Sequence, residues 1–258
     1  MIKELNHVGI LTGNMDKSRQ FYTEILGGTV IRDFINADNL SQFVYIQLAL
    51  GVIELIRVPT DSANRGFAHV AFLIDDSKSI EENHSYLEGK GYEFTVAPKI
   101  AASGDGRLAF FKDDAGVILE LIQRTEDVRI RDLVNPNITA FHHIAINASI
   151  EAAAKCEIFY TTDMGFTKTD SKMSSGGRKT LYKIQDDTVE VTEIGDAEAL
   201  SHPLSHICLG VLDCFAMQKY LVANNMRCSD IIIEDDHHLF NCFAPDGEQI
   251  VFTDEAPR

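Results

Sequence analysis

Four histidines recur in short apolar segments: Asn6-His7-Val8-Gly9-Ile10, Ala68-His69-Val70-Ala71-Phe72, His142-His143-Ile144-Ala145-Ile146 and Ser205-His206-Ile207-Cys208-Leu209. They lie 62, 74 and 63 residues apart. Glutamates interrupt aliphatic runs at Glu54, in Val52-Ile53-Glu54-Leu55-Ile56, and at Glu120, in Ile118-Leu119-Glu120-Leu121-Ile122. A carboxylate in such a run is costly unless it is paired or bound to a cation. Two imidazoles and two carboxylates form a mixed nitrogen and oxygen set that suits a divalent metal with positions open to water or substrate. The absence of thiolates from that set points to Ni, Co, Zn, Mn or Fe at a catalytic site, over a structural zinc. Such an ion, holding two vicinal oxygens of a hydroxy-ketone, would acidify a neighbouring C–H bond and stabilise an enediolate. Glu120 or Glu54 would then act as general base.

The spacing defines one complete set and one incomplete set. Glu54 follows His7 by 47 residues, Glu120 follows His69 by 51, and Glu190 follows His143 by 47. In the last quarter, aligning Asp246-Gly247 with Ala115-Gly116 puts Val251 where Glu120 stands. The expected metal ligands are therefore His7, Glu54, His69 and Glu120, with His143, Glu190 and His206 left as a defective counterpart.

The elements that must position these residues repeat as well. Phe21-Tyr22-Thr23-Glu24-Ile25-Leu26-Gly27 follows His7, and Phe159-Tyr160-Thr161-Thr162-Asp163-Met164-Gly165 follows His143. Each quarter reads as a strand carrying the His, a polar N-capping turn, an amphipathic helix and β-rich stretches. The helices are expected over Ser18–Leu26, Ile80–Leu87, Ala152–Tyr160 and Phe215–Val222. Gly27, Gly91 and Gly165 suit left-handed C-caps, with Asn224-Asn225 in the fourth place. The chain is thus an α+β protein of four β-α-β-β-β units in two tandem domains, 1–124 and 140–258, joined by a linker over 125–139. Asn135-Pro136-Asn137 is the breaker of that linker.

Composition narrows the partners. The formal net charge is −16, with 23 basic and 39 acidic side chains. That excess disfavours nucleic acid and anionic membranes. No apolar run approaches the roughly 18 residues needed to cross a bilayer, and Met1–His7 carries no signal-peptide pattern. The five cysteines are odd in number and unclustered, which fits a reducing, cytoplasmic setting. The expected partner is a small-molecule substrate, with a homodimer possible.

Paired β-α-β-β-β units with His on each first strand and Glu on the last strand resemble the vicinal oxygen chelate superfamily. That superfamily holds glyoxalase I, methylmalonyl-CoA epimerase, extradiol dioxygenases and bleomycin- or fosfomycin-resistance proteins. The resemblance implies glyoxalase-like half-barrels, each built from a pair of units around a metal. His7, Glu54, His69 and Glu120 match the His/Glu/His/Glu set of glyoxalase I. It implies a metal-dependent lyase, isomerase or epimerase first, an Fe(II) extradiol-type dioxygenase second, and a non-catalytic binding protein third. Bacterial glyoxalase I carries Arg and Asn where this chain has Leu11 and Val58, so poor turnover of glutathione hemithioacetal is expected. An exchanged pairing would assemble His143, Glu190, His69 and Glu120 instead. Pairing within each tandem half is the expectation, on the ground that each half would then close its own core.

Other residues are expected to be structural. Ser103-Gly104-Asp105-Gly106-Arg107 reads as a hairpin before it reads as a lid with an anion-binding Arg107. Tyr45 is expected in the core, Asp235-Asp236-His237-His238 on a solvated turn, and Cys208 as a small buried thiol on the strand face of His206.

Overall fold

The computed structural model describes residues 2–37, 39–174, 176–195, 203–234 and 236–256. The four units follow one another as the histidine spacing requires. The first is β1 (Ile2–Thr12), α1 (Met15–Gln20), β2 (Thr29–Ile35), β3 (Gln42–Leu48) and β4 (Gly51–Arg57). The second is β5 (Gly66–Ile74), α2 (Ile80–Gly89), β6 (Phe94–Ile100), β7 (Gly106–Lys112) and β8 (Ile118–Arg124). The third is β9 (Ala140–Ala148), α3 (Ile150–Ile158), β10 (Thr167–Ser174), β11 (Gly177–Ile184) and β12 (Asp187–Glu193). The fourth is β13 (Leu204–Gly210), α4 (Cys214–Ala223), β14 (Ile232–Glu234), β15 (His237–Phe243) and β16 (Gln249–Thr253).

Two eight-stranded sheets result, in the orders β2-β3-β4-β1-β5-β8-β7-β6 and β10-β11-β12-β9-β13-β16-β15-β14. These are the α+β tandem half-barrels. Within every unit the first and last strands run parallel, because the helix carries the chain back across the sheet. That pairing sets the His strand beside the Glu strand. Both lie in the middle of the sheet, which explains their near-continuous apolar sequence.

The helix signals act as expected. Asn14, Ser79, Ser149 and Asp213 side chains accept from backbone N–H groups of the first turn, and Ser79 with Glu82 completes a capping box. Gly27, Gly91 and Gly165 have φ of +76°, +98° and +84°. One feature differs from expectation. The repeated Phe-Tyr-Thr segments are π-turns, Phe21–Ile25 and Phe159–Asp163, that follow α1 and α3. The wider turn buries two successive aromatics, Phe21 with Tyr22 and Phe159 with Tyr160.

The chain divides into two compact units: 1–6, 69–127 and 143–205 in one, and 7–68, 128–142 and 206–258 in the other. In the first, Tyr160 donates to Asp113 Oδ2 at 3.0 Å, and Phe159 packs on Phe111 and Tyr92. In the second, Tyr22 donates to Glu248 at 2.8 Å and Ser18 to Asp246 at 2.7 Å. Each core therefore joins units from different tandem halves, the second with the third and the first with the fourth. The π-turn aromatics are what place those tyrosine hydroxyls on the turns before β8 and β16. The segment 128–142 belongs to the second core. There Ile130 exchanges hydrogen bonds with the Gln47 side chain, and Asn137 donates to Ile25 O. Asn135 Oδ1 accepts from the N–H groups of Asn137 and Ile138, the turn expected at that breaker.

Candidate metal centre

Register decides which side chains meet. On β1 and β4, Gly9 pairs with Glu54, and His7 Nε2 lies 3.3 Å from Glu54 Oε2. Tyr45 stands opposite Glu54 across β3 and β4. Its hydroxyl donates to Glu54 Oε1 in a short hydrogen bond, and its ring meets the His7 imidazole edge-on at 5.4 Å. All three are buried, His7 at 1% exposure and Glu54 at 5%.

The second pair repeats this geometry in its own compact unit. Ala71 pairs with Glu120 on β5 and β8, and His69 Nε2 lies 3.1 Å from Glu120 Oε2. Phe110 stands opposite Glu120 and meets the His69 ring edge-on at 5.3 Å. Glu120 is 3% exposed. Tyr45 and Phe110 are repeat-equivalent, so Glu54 has a phenolic donor where Glu120 faces a phenyl ring. The sequence reading placed Tyr45 in the core, and it is buried. Its bond to Glu54 was not foreseen, because it depends on the β3–β4 register.

Two buried carboxylates beside imidazole Nε2 atoms are a donor set that fits a divalent cation. Desolvated carboxylates require positive charge nearby, and the N/O composition matches a catalytic metal. His7 and Glu54 belong to the unit of 7–68, 128–142 and 206–258, and His69 and Glu120 to the unit of 1–6, 69–127 and 143–205.

The incomplete set is arranged differently. His143 Nε2 is 4.0 Å from Glu190 Oε2, and Glu190 also takes Lys179 at 3.8 Å and Thr192 Oγ1 at 3.0 Å. Leu181 stands opposite Glu190, where the first unit has Tyr45. Val251 pairs with Cys208 as Glu120 pairs with Ala71. The Lys179 ammonium thus faces the carboxylate that a metal would use.

Two of the weaker candidates, Arg107 and His238, contact carboxylates. Arg107, the second residue of β7, pairs with Glu81 of α2 at 2.5 Å. His237 and His238 open β15 instead of lying on a solvated turn; His238 contacts Asp254 Oδ2 at 2.9 Å, and Asp235 lies outside the described residues. All five cysteines are free thiols. No helix among the described residues is long and apolar enough to cross a membrane.

A family model described as the Glyoxalase/Bleomycin resistance protein/Dioxygenase superfamily matches residues 4–121. The chain is 30% identical over 129 residues to lactoylglutathione lyase GLX1 of Arabidopsis thaliana, a match covering 46% of this chain and 43% of that protein. It is 32% identical over 126 residues to the probable lactoylglutathione lyase of Synechocystis sp., covering 46% of this chain and 94% of that protein. The chain therefore spans less than half the length of the Arabidopsis relative. Among solved structures, the Mn(II)-bound glyoxalase from Novosphingobium aromaticivorans superposes with a TM-score of 0.75 at 15% identity, over 98% of this chain and 82% of that one. That last likeness is one of fold.

Proposed function

Because the chain belongs to the glyoxalase/bleomycin resistance protein/dioxygenase superfamily, we propose that it is a metal-dependent lyase or isomerase acting on a small substrate with vicinal oxygens. His7, Glu54, His69 and Glu120 would hold one divalent ion. The observation that carries this reading is the pair of buried Glu–His contacts, at 3.3 and 3.1 Å. A divalent cation held there would supply Lewis acidity, acidifying the C–H on a substrate carbon that bears one of two adjacent oxygens.

The protein's own groups do the rest. Tyr45 fixes Glu54 through its hydroxyl and so holds that carboxylate in place as a ligand. Glu120, facing Phe110, takes the proton from carbon as general base. Delivery of that proton to the neighbouring carbon is isomerisation, and delivery to the opposite face of the same carbon is epimerisation. Burial of both carboxylates keeps bulk water from competing for the proton.

The test is incubation of the metal-loaded enzyme in D2O with a panel of 2-hydroxy ketones, 2-hydroxy aldehydes and hemithioacetals. Deuterium appearing on carbon, lost in Glu120→Gln, supports the assignment. Oxygen uptake with catechols in place of C–H exchange would make the protein a dioxygenase. Tight ligand binding with neither reaction would make it a binding protein.

A further inference from the structure

The internal repeat lets each position be compared with its counterpart inside the other compact unit. Gly106 stands opposite Arg124 across β7 and β8. Arg124 Nη1 donates to Asp105 at 2.9 and 3.0 Å, and its Nε reaches Asn6 Oδ1 at 3.4 Å. This corner of the fold contains a built-in cation. In the fourth unit, continuing the Leu239–Thr253 register by two residues sets Glu255 opposite His237. Glu255 thus replaces Arg124, and His237 replaces Gly106. His142, one residue before His143, replaces Asn6, and Cys208 replaces Ala71. The cation has become an acid, and each of the other three positions has gained a metal-capable donor.

Those donors form a chain of neighbours within the unit formed by 7–68, 128–142 and 206–258. Glu255 Oε2 lies 3.4 Å from His237 Nε2 and 3.8 Å from His142 Nε2. A ring nitrogen of His142 lies within 4.8 Å of Cys208 Sγ. The segment carrying Glu255 is pinned in place. Asp254 accepts from His238 N at 2.7 Å and contacts its Nδ1 at 2.9 Å, while Glu255 N donates to Thr253 Oγ1 at 3.1 Å. Cys208 and His142 are buried, whereas the Glu255 and His237 side chains are 21% and 13% exposed. The cluster therefore has a buried floor and an edge through which an ion can enter.

We propose that His142, Cys208, His237 and Glu255 form a second metal site, selective for a zinc-class divalent cation. One thiolate, two imidazoles and one carboxylate are a donor set for tetrahedral Zn(II). Binding releases the Cys208 proton to solvent. The ion replaces the role of Arg124 in the other unit and ties the segment after β16 to β9, β13 and β15.

Titration of the chelator-stripped full chain with Co(II) tests this directly. The His7/Glu54/His69/Glu120 set contains no sulfur, so a thiolate-to-cobalt charge-transfer band reports the second site alone. The band is expected in the wild type, to be displaced by Zn(II) and to vanish in Cys208→Ser. His237→Ala, at a partly exposed position, is expected to weaken Co(II) binding at that band at least tenfold. It should also abolish the rise in melting temperature that Zn(II) gives the wild type. No thiolate band in the wild type, an undiminished band in Cys208→Ser, or unchanged affinity in His237→Ala would each overturn the proposal. Where Cys208→Ser does not fold, the His237→Ala affinity decides.

Discussion

At the residue scale, the two carboxylates of the candidate centre differ by one oxygen atom. Tyr45 donates to Glu54, and its counterpart Phe110 carries no hydroxyl. Tyr45→Phe removes a buried hydrogen bond to a charged acceptor, worth about 1.5–3 kcal/mol. Its metal affinity is expected to fall roughly tenfold or more, as measured by competition with a chelator. Unchanged affinity would mean that Tyr45 does not position Glu54. Leu11 and Val58 are apolar side chains at the positions where the resemblance to bacterial glyoxalase I implies Arg and Asn. Glutathione hemithioacetal is therefore expected to be a poor substrate, and kcat/KM above about 10⁴ M⁻¹s⁻¹ would contradict that. The His and Glu ligands were legible because the repeat presents them several times in matching apolar strands. Tyr45 was not, since its partner is set by cross-strand register and the repeat offers Phe110 and Leu181 at the same place.

At the element scale, strands, helices, caps and the linker turn follow from local chemistry that a sequence displays. The π-turns do not, because a Phe-Tyr pair reads equally well as the end of an α-helix. The tyrosine hydroxyls that this wider turn delivers reach acids more than 45 residues away in the chain, on Asp113 and Glu248. That distant pairing is why the division of the cores escaped a reading of periodicity alone. β4 shows how tightly one such core is packed. A Cβ on Gly51 would lie 2.1 Å from Phe141 Cδ2 and 2.6 Å from Phe141 Cβ. Gly51→Ala is expected to destabilise the protein by about 1–3 kcal/mol. Urea denaturation checks this, and an unchanged midpoint would show that Phe141 moves aside without cost.

At the scale of the whole molecule, each core contains a buried carboxyl held by a π-turn tyrosine, Asp113 by Tyr160 and Glu248 by Tyr22. Burial pushes Asp113 up from 3.8 to about 7 and Glu248 up from 4.5 to about 7. A raised folded-state pKa means that the folded chain keeps protons the unfolded chain has released. The stabilisation is complete below the unfolded values and is lost as pH rises from about 4 to about 7, at up to about 1.4 kcal/mol per pH unit for each group. Asp113→Asn is expected to flatten that decline relative to the wild type in urea titrations across this range. A parallel decline in both proteins would show that Asp113 ionises normally. The central proposal is that His7, Glu54, His69 and Glu120 are the ligands of one divalent metal. Titration of chelator-stripped protein with Mn(II), followed by electron paramagnetic resonance, tests it most directly, because Mn(II) favours the sulfur-free set. The account predicts one bound Mn(II) in the wild type and in His143→Ala, and none in His7→Ala. Retention by His7→Ala with loss in His143→Ala would contradict it and assign the centre to His143, Glu190, His69 and Glu120.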